Sequence, residues 1–128
     1  MCKAHNGLSL NQKQKEEKMK KMTLNQHYIN LGKQLKVPYA DVAEIREGIF
    51  EHGKTHGECS VAWAADHARW ILVSREAYRQ GIMMCPVAEL VSLVGWTEEE
   101  VARKVKGVLV YLQGEKLVKL SEQVWEVL

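Results

Sequence analysis

The residues with chemistry to offer lie between His52 and His67. In His52-Gly53-Lys54-Thr55-His56-Gly57-Glu58-Cys59 two histidines stand four apart, a cysteine follows three later, and His67 lies beyond. Two imidazoles, a thiolate and a third imidazole are a donor set that tetrahedral zinc accepts. The paired CxxC, or an HxxxH joined to CxxC, is missing, and without it the spacing reads as a glycine-containing loop with solvent-exposed histidines. His67 then packs between Trp63 and Trp70. A Cys59 nucleophile with His56 or His67 as its base has no accompanying oxyanion donor. There is no phosphate-binding glycine loop, no GxSxG and no recognisable carboxylate pair. The expectation is a protein that is not an enzyme and holds no metal or cofactor.

The elements that must position these side chains belong to a globular chain, since 46% hydrophobic and 27% charged residues are enough to build a core. No apolar run approaches the ~20 residues that cross a bilayer, and Met1-Cys2-Lys3-Ala4-His5-Asn6 lacks the apolar region of a signal peptide. Cys2, Cys59 and Cys85 form no CxxC pair, which fits a reducing, cytoplasmic setting. Cys85, beside Ile82-Met83-Met84, reads as a buried thiol. Charge is unevenly spread. Residues 1–22 hold six lysines against Glu16 and Glu17, which leaves the rest at −2 although the whole chain is +2. A dedicated DNA-binding body shows the opposite distribution. Residues 1–22 bury little and read as a disordered basic tail. They also read as a translated leader, because Lys15-Glu16-Glu17-Lys18 can be encoded by a purine-rich, ribosome-binding-like stretch ahead of Met19 and Met22. An intact mass that includes Met1 would exclude the leader.

Residues 23–57 read as a helical pair. Thr23-Leu24-Asn25-Gln26 is a capping-box pattern, followed by Leu24, Tyr28, Leu31 and Leu35 at helical spacing; Val37-Pro38 breaks the helix. Asp41-Val42-Ala43-Glu44 is a second such pattern, with Val42, Ile45 and Ile49 behind it and Gly53 and Gly57 closing the unit. From Ser60 to Gln80 a long, largely apolar helix ends at Gly81 and should be the central core element.

After Gly81, Ile82-Met83-Met84-Cys85 is extended and Pro86 suits a first helical turn. Val87 to Val94 is helical and stops at Gly95. Thr97-Glu98-Glu99-Glu100 opens a helix whose apolar positions are Val101, Val105, Val108 and Leu112, and Gly114 stops it. Leu117 to Leu120, Ser121-Glu122-Gln123 and Val124 to Val127 read as strand, turn and strand. Ala88 to Val101, with its apolar anchors, turn glycine and capping threonine, resembles the core of the winged helix-turn-helix superfamily, most of all the winged helices of bacterial regulators and bacteriophage replication-initiation proteins. The fold this implies is mostly α, with a helical N-terminal extension and, over residues 58–128, a winged helix-turn-helix with a short C-terminal β-hairpin.

The resemblance also implies a reading helix from Thr97 to Gln113 whose N-terminal residues enter the major groove. Thr97, Arg103, Lys104 and Lys106 would contact double-stranded DNA, with Lys116 and Lys119 on the wing. Glu98-Glu99-Glu100 opposes this, since carboxylates at that end cancel the field that attracts phosphate. The turn Ser121-Glu122-Gln123 offers no cation to the minor groove. On the outward face, Gly107 and Val110 suit close packing by another surface: the N-terminal helices of the same chain, a second copy, or another protein. The four tryptophans, 63, 70, 96 and 125, suit core anchoring, with Trp96 in the turn alternatively marking a contact. Two functions therefore stand open. One is a DNA-binding regulator of transcription or replication. The other is a protein-interaction module, such as a phage or plasmid protein that modulates a host factor, with Trp96, Gly107 and Val110 at the contact. Residues 23–57 are the expected homodimer or partner surface.

Overall fold

A computed structural model describes residues 24–83 and 86–128. The Thr23 capping box, the basic tail and Cys85 lie outside the described residues. Among the described residues there are six helices: α1 Leu24–Leu35, α2 Tyr39–His56, α3 Val61–Arg79, α4 Val87–Leu93, α5 Glu98–Gly114 and α6 Val124–Val127. The central element is α3, which packs on α2, α4 and α5, while α1 lies against α2 and α5 and α6 rests on α5. Ala64 and Ala68 are fully buried on α3, and side chains this small let the neighbouring axes approach closely. Ile45 and Ile49 of α2, Ile71 and Leu72 of α3, and Val108, Leu109 and Leu112 of α5 fill the centre. Leu31 and Leu35 of α1 and Val42, Ile45 and Ile49 of α2 thus pack into the core of the same chain.

Local signals explain the helix ends. The Ser60 side chain accepts the Trp63 N–H and starts α3. Thr97 starts α5 through a full capping box with Glu100. Gly95 takes φ 87° and donates to the Ser92 carbonyl while Trp96 N–H reaches back to Val91. This paired closure satisfies two of the carbonyls that a helix end leaves open. At the end of α5 the expected stop is displaced. Gly114 is still helical, and Lys116 takes the left-handed conformation at φ 59°. Lys116 N–H donates to Gln113 O and Leu117 N–H to Leu112 O. At α2 the start is also displaced: Pro38, with ψ 146°, is the cap. Asp41 and Glu44 lie inside the helix instead of boxing its end. Likewise Gly53 is absorbed into α2, and Gly57 at φ 78° ends it.

The hairpin wing expected at the C-terminus is absent. Among the described residues there is no β-strand, only a single parallel bridge between Cys59 and Leu120. The reason is a competing partner for the backbone. Gln113, at the end of α5, accepts the Val124 N–H through Oε1 (3.1 Å) and donates through Nε2 to the Glu122 carbonyl (2.9 Å). A carbonyl of the expected turn and the first N–H of the expected second strand are thus held by one side chain, and a lone short hairpin is itself marginal in water. Val124 to Val127 closes into one helical turn that buries Val124 and leaves Trp125 55% exposed. Over the described residues the regular structure is therefore helical apart from that bridge, and the expected C-terminal β-hairpin does not form.

Candidate interaction surfaces

The helix expected to read DNA is not free on its outward side. Leu35, at the end of α1, sits over Gly107 so closely that a Cβ there would overlap Leu35 Cδ1. Gly107 is therefore a docking point for α1, the first of the packing partners its sequence allowed. Lys104 is 8% exposed. Its ammonium donates to the Leu35 carbonyl at 2.6 Å and stands 5.0 Å from the Trp96 ring centroid. Burial pushes the Lys104 pKa down, and Glu100 opposes that shift. Lys104 is thus withdrawn from the cations that could meet phosphate. It joins α1, α5 and the turn residue Trp96, which is half-buried.

Arg103, Lys106, Val110 and Gly107 line a groove of about 470 Å³ against Leu31 and Gln34 of α1. Arg103 is exposed and Lys106 half-exposed along its edge. Thr97 is committed to the cap, where its hydroxyl accepts Glu100 N–H at 3.1 Å. Glu100 returns the contact to Thr97 N–H, and that backbone bond is the main cause of its lowered pKa. Glu98 takes both guanidinium nitrogens of Arg69, at 2.8 and 3.2 Å, and those bonds hold its carboxyl below the usual range. The acidic start of α5 is therefore built into the cap and into a link to α3.

Lys116 and Lys119 lie elsewhere. Arg103 and Lys116 are thirteen positions apart, roughly 20 Å along the axis at ~1.5 Å per residue. The two lysines line a second cleft, of about 540 Å³, with Lys54 and Gly57 from the end of α2. Its floor is apolar, formed by Ile49, Phe50, Leu117 and Val118. A smaller hollow of about 220 Å³, lined by Arg46 and Glu47, shares Phe50 and Leu117 with it. The two hollows are therefore neighbours on either side of Phe50 and Leu117. The residues proposed for DNA contact are thus divided between two surfaces instead of forming one stripe.

The donor cluster around His52 takes another form as well. Among the described residues no three His, Cys, Asp or Glu side chains converge as a metal would require. The histidines are stacked. His56 lies on His52 (centroids 4.2 Å), His52 on Trp63 (3.8 Å), Trp63 on His67 (5.1 Å), and Trp70 continues the column at 6.2 Å. This places His67 between Trp63 and Trp70 as the spacing predicts. It also moves His52 and His56 out of the expected loop and onto the last turns of α2. His67 packs against Gly48, where a Cβ would overlap its ring. Cys59 is buried, and its thiol donates to the Ile49 carbonyl at 3.4 Å. Burial raises its pKa, the wrong direction for a nucleophile. Trp70, 52% exposed, and Trp125 are not core anchors.

Sequence reading missed three cross-helix ion pairs and the groove over Phe50. Arg75 to Glu44 and Arg79 to Asp41 join α3 to α2, and Arg69 to Glu98 joins α3 to α5. Only the Arg79 pair has a deeply buried partner: Asp41, 3% exposed, is held at 2.9 and 3.2 Å. No periodic signal marks partners this far apart in the chain. Among the described residues no helix is long and apolar enough to cross a membrane. In comparisons with known proteins, no family model, no curated protein and no solved structure matches this chain.

Proposed function

We propose that this chain is a helical protein-interaction module, and that α5 serves the fold instead of reading DNA. The observation that carries the reading is α1 lying across α5, with Leu35 on Gly107 and Lys104 bonded to the Leu35 carbonyl. A helix that enters the major groove needs that side clear over several turns. The absence of a wing among the described residues and the acidic start of α5 support the same reading. So does the net −2 carried outside the lysine-rich N-terminal segment. On this reading the exposed apolar side chains are contact points. The chain acts in a reducing, cytoplasmic compartment with no catalytic step of its own.

The test is fluorescence anisotropy of the full chain with duplex DNA across a salt series, repeated with Arg103→Ala/Lys106→Ala. Lysines of the N-terminal segment can give weak, sequence-independent binding. The expected outcome is that any binding is indifferent to DNA sequence and to the double substitution. Sequence-selective binding that falls when Arg103 and Lys106 are removed would sink the proposal and return α5 to the role of a reading helix.

A further inference from the structure

The groove over Phe50 carries the interaction reading to a partner of definite chemistry. Phe50 is 54% exposed, although it is the one phenylalanine of the chain and lies on a helix with core side chains available to it. Beside it the buried Ile49 and Val118 complete an apolar floor. Ligand-binding clefts are mostly apolar and run to ~300–1,000 Å³, and the larger hollow falls in this range at about 540 Å³. Aromatic side chains at the centre of such a floor are the usual anchors of an interface.

The rim is cationic. Lys54, Lys116 and Lys119 stand round the larger hollow, and Glu58 is its single acidic lining residue. Lys54 is engaged with Glu51 at 3.1 Å and stands 5.0 Å from the Phe50 ring centroid. Among the described residues neither Lys116 nor Lys119 is ion-paired. By contrast, Arg69, Arg75 and Arg79 on α3 all carry carboxylate partners. Arg46 and Glu47 both line the adjoining hollow, so the excess of positive charge belongs to the larger one. Unpaired cations around an exposed apolar floor, on a body that is otherwise acidic, are complementary to carboxylates flanking an apolar side chain. The N-terminal segment of the same chain, with six lysines against two glutamates, has the wrong sign to fill this groove.

We infer that this groove binds an acidic peptide segment, with a Phe, Trp or Leu side chain on the floor and carboxylates on Lys54, Lys116 and Lys119. The inference rests on the interaction reading and adds the class of partner to it. The backbone of such a segment can come close along the α2 wall, where Gly53 and Gly57 leave open space.

The experiment pans a random ten-residue peptide library, displayed on phage, against the immobilised full chain. The expected result is enrichment of sequences with Asp or Glu on both sides of a large apolar residue. An enriched peptide, synthesised with a fluorophore, should bind at least about tenfold more weakly to Lys54→Glu/Lys119→Glu, a loss typical of reversing rim charge. It should also weaken with salt. Unchanged thermal melting of the variant, and a parallel loss in Phe50→Ser, tie the effect to the groove. Failure to enrich acidic sequences, or affinity indifferent to both variants, overturns the inference. If non-acidic peptides bind and the DNA test stays negative, the partner class falls while the interaction reading stands. If Arg103-dependent DNA binding is found, that reading falls instead.

Discussion

At the scale of single residues, His67 shows how much a ring can be constrained by what surrounds it. Its Nε2 is buried with no hydrogen-bond partner among the described residues, and its faces lie against Trp63 and Trp70. Burial lowers its pKa below the ordinary 6.5, His52 adds to that shift, and the carboxylate of Glu44 opposes it. The unfolded chain therefore binds this proton at a higher pH than the folded one. The stability contributed by neutral His67 is fully present above about pH 6.5 and is lost as pH falls toward the folded value. Urea unfolding between pH 7.5 and 5 should show stability declining in this window, with a slope from this group of at most about 1.4 kcal/mol per pH unit. His67→Gln removes the titrating ring, so its stability should fall less steeply over the same window. An identical slope in the variant would assign the effect elsewhere. The spacing of Trp63, His67 and Trp70 made this neighbourhood legible, because all three fall on one stripe of α3. His52 and His56 were misread because Gly53 and Gly57 suggested a loop, whereas one glycine inside a helix costs only ~1 kcal/mol and α2 absorbs it.

At the scale of elements, the helices that announce themselves are those with local caps. Ser60, Gly81, Gly95 and Thr97 act within four residues of themselves, so sequence alone places α3, the turn and the start of α5. The docking of α1 on α5 has no such signal, since Leu35 and Gly107 meet only in the folded chain. The wing failed for a related reason: β-spacing over a few residues competes with whatever hydrogen-bonding side chain the fold brings near, and here that is Gln113. Gly107→Ile tests the element-level claim. The added side chain collides with Leu35 and should lift α1, at a cost of about 1–3 kcal/mol for overpacking. In hydrogen exchange, protection at Leu31 to Leu35 should fall while α3 keeps its protection. Unaltered exchange in α1 would mean that the contact contributes nothing to docking.

At the scale of the whole molecule, charge and packing divide the surface into parts with different duties. Arginines of α3 hold α2 and the acidic start of α5 by ion pairs, whereas Lys116 and Lys119, just beyond the end of α5, have no ion pair among the described residues. Segregation of this kind is visible in the sequence only as a net balance, because pairing depends on which helices become neighbours. Lys116 is where the two duties collide. It occupies the left-handed position that closes α5, at φ 59°, a conformation that costs a residue with a Cβ about 1–2 kcal/mol relative to glycine. Lys116→Gly should therefore raise stability by up to about 1 kcal/mol in chemical denaturation. The same change should weaken an acidic peptide bound over Phe50. Selection for thermal robustness alone would thus drive this position toward glycine, and selection for ligand capture would hold it at lysine. A library varied at position 116 and sorted separately for melting temperature and for binding should split into those two populations.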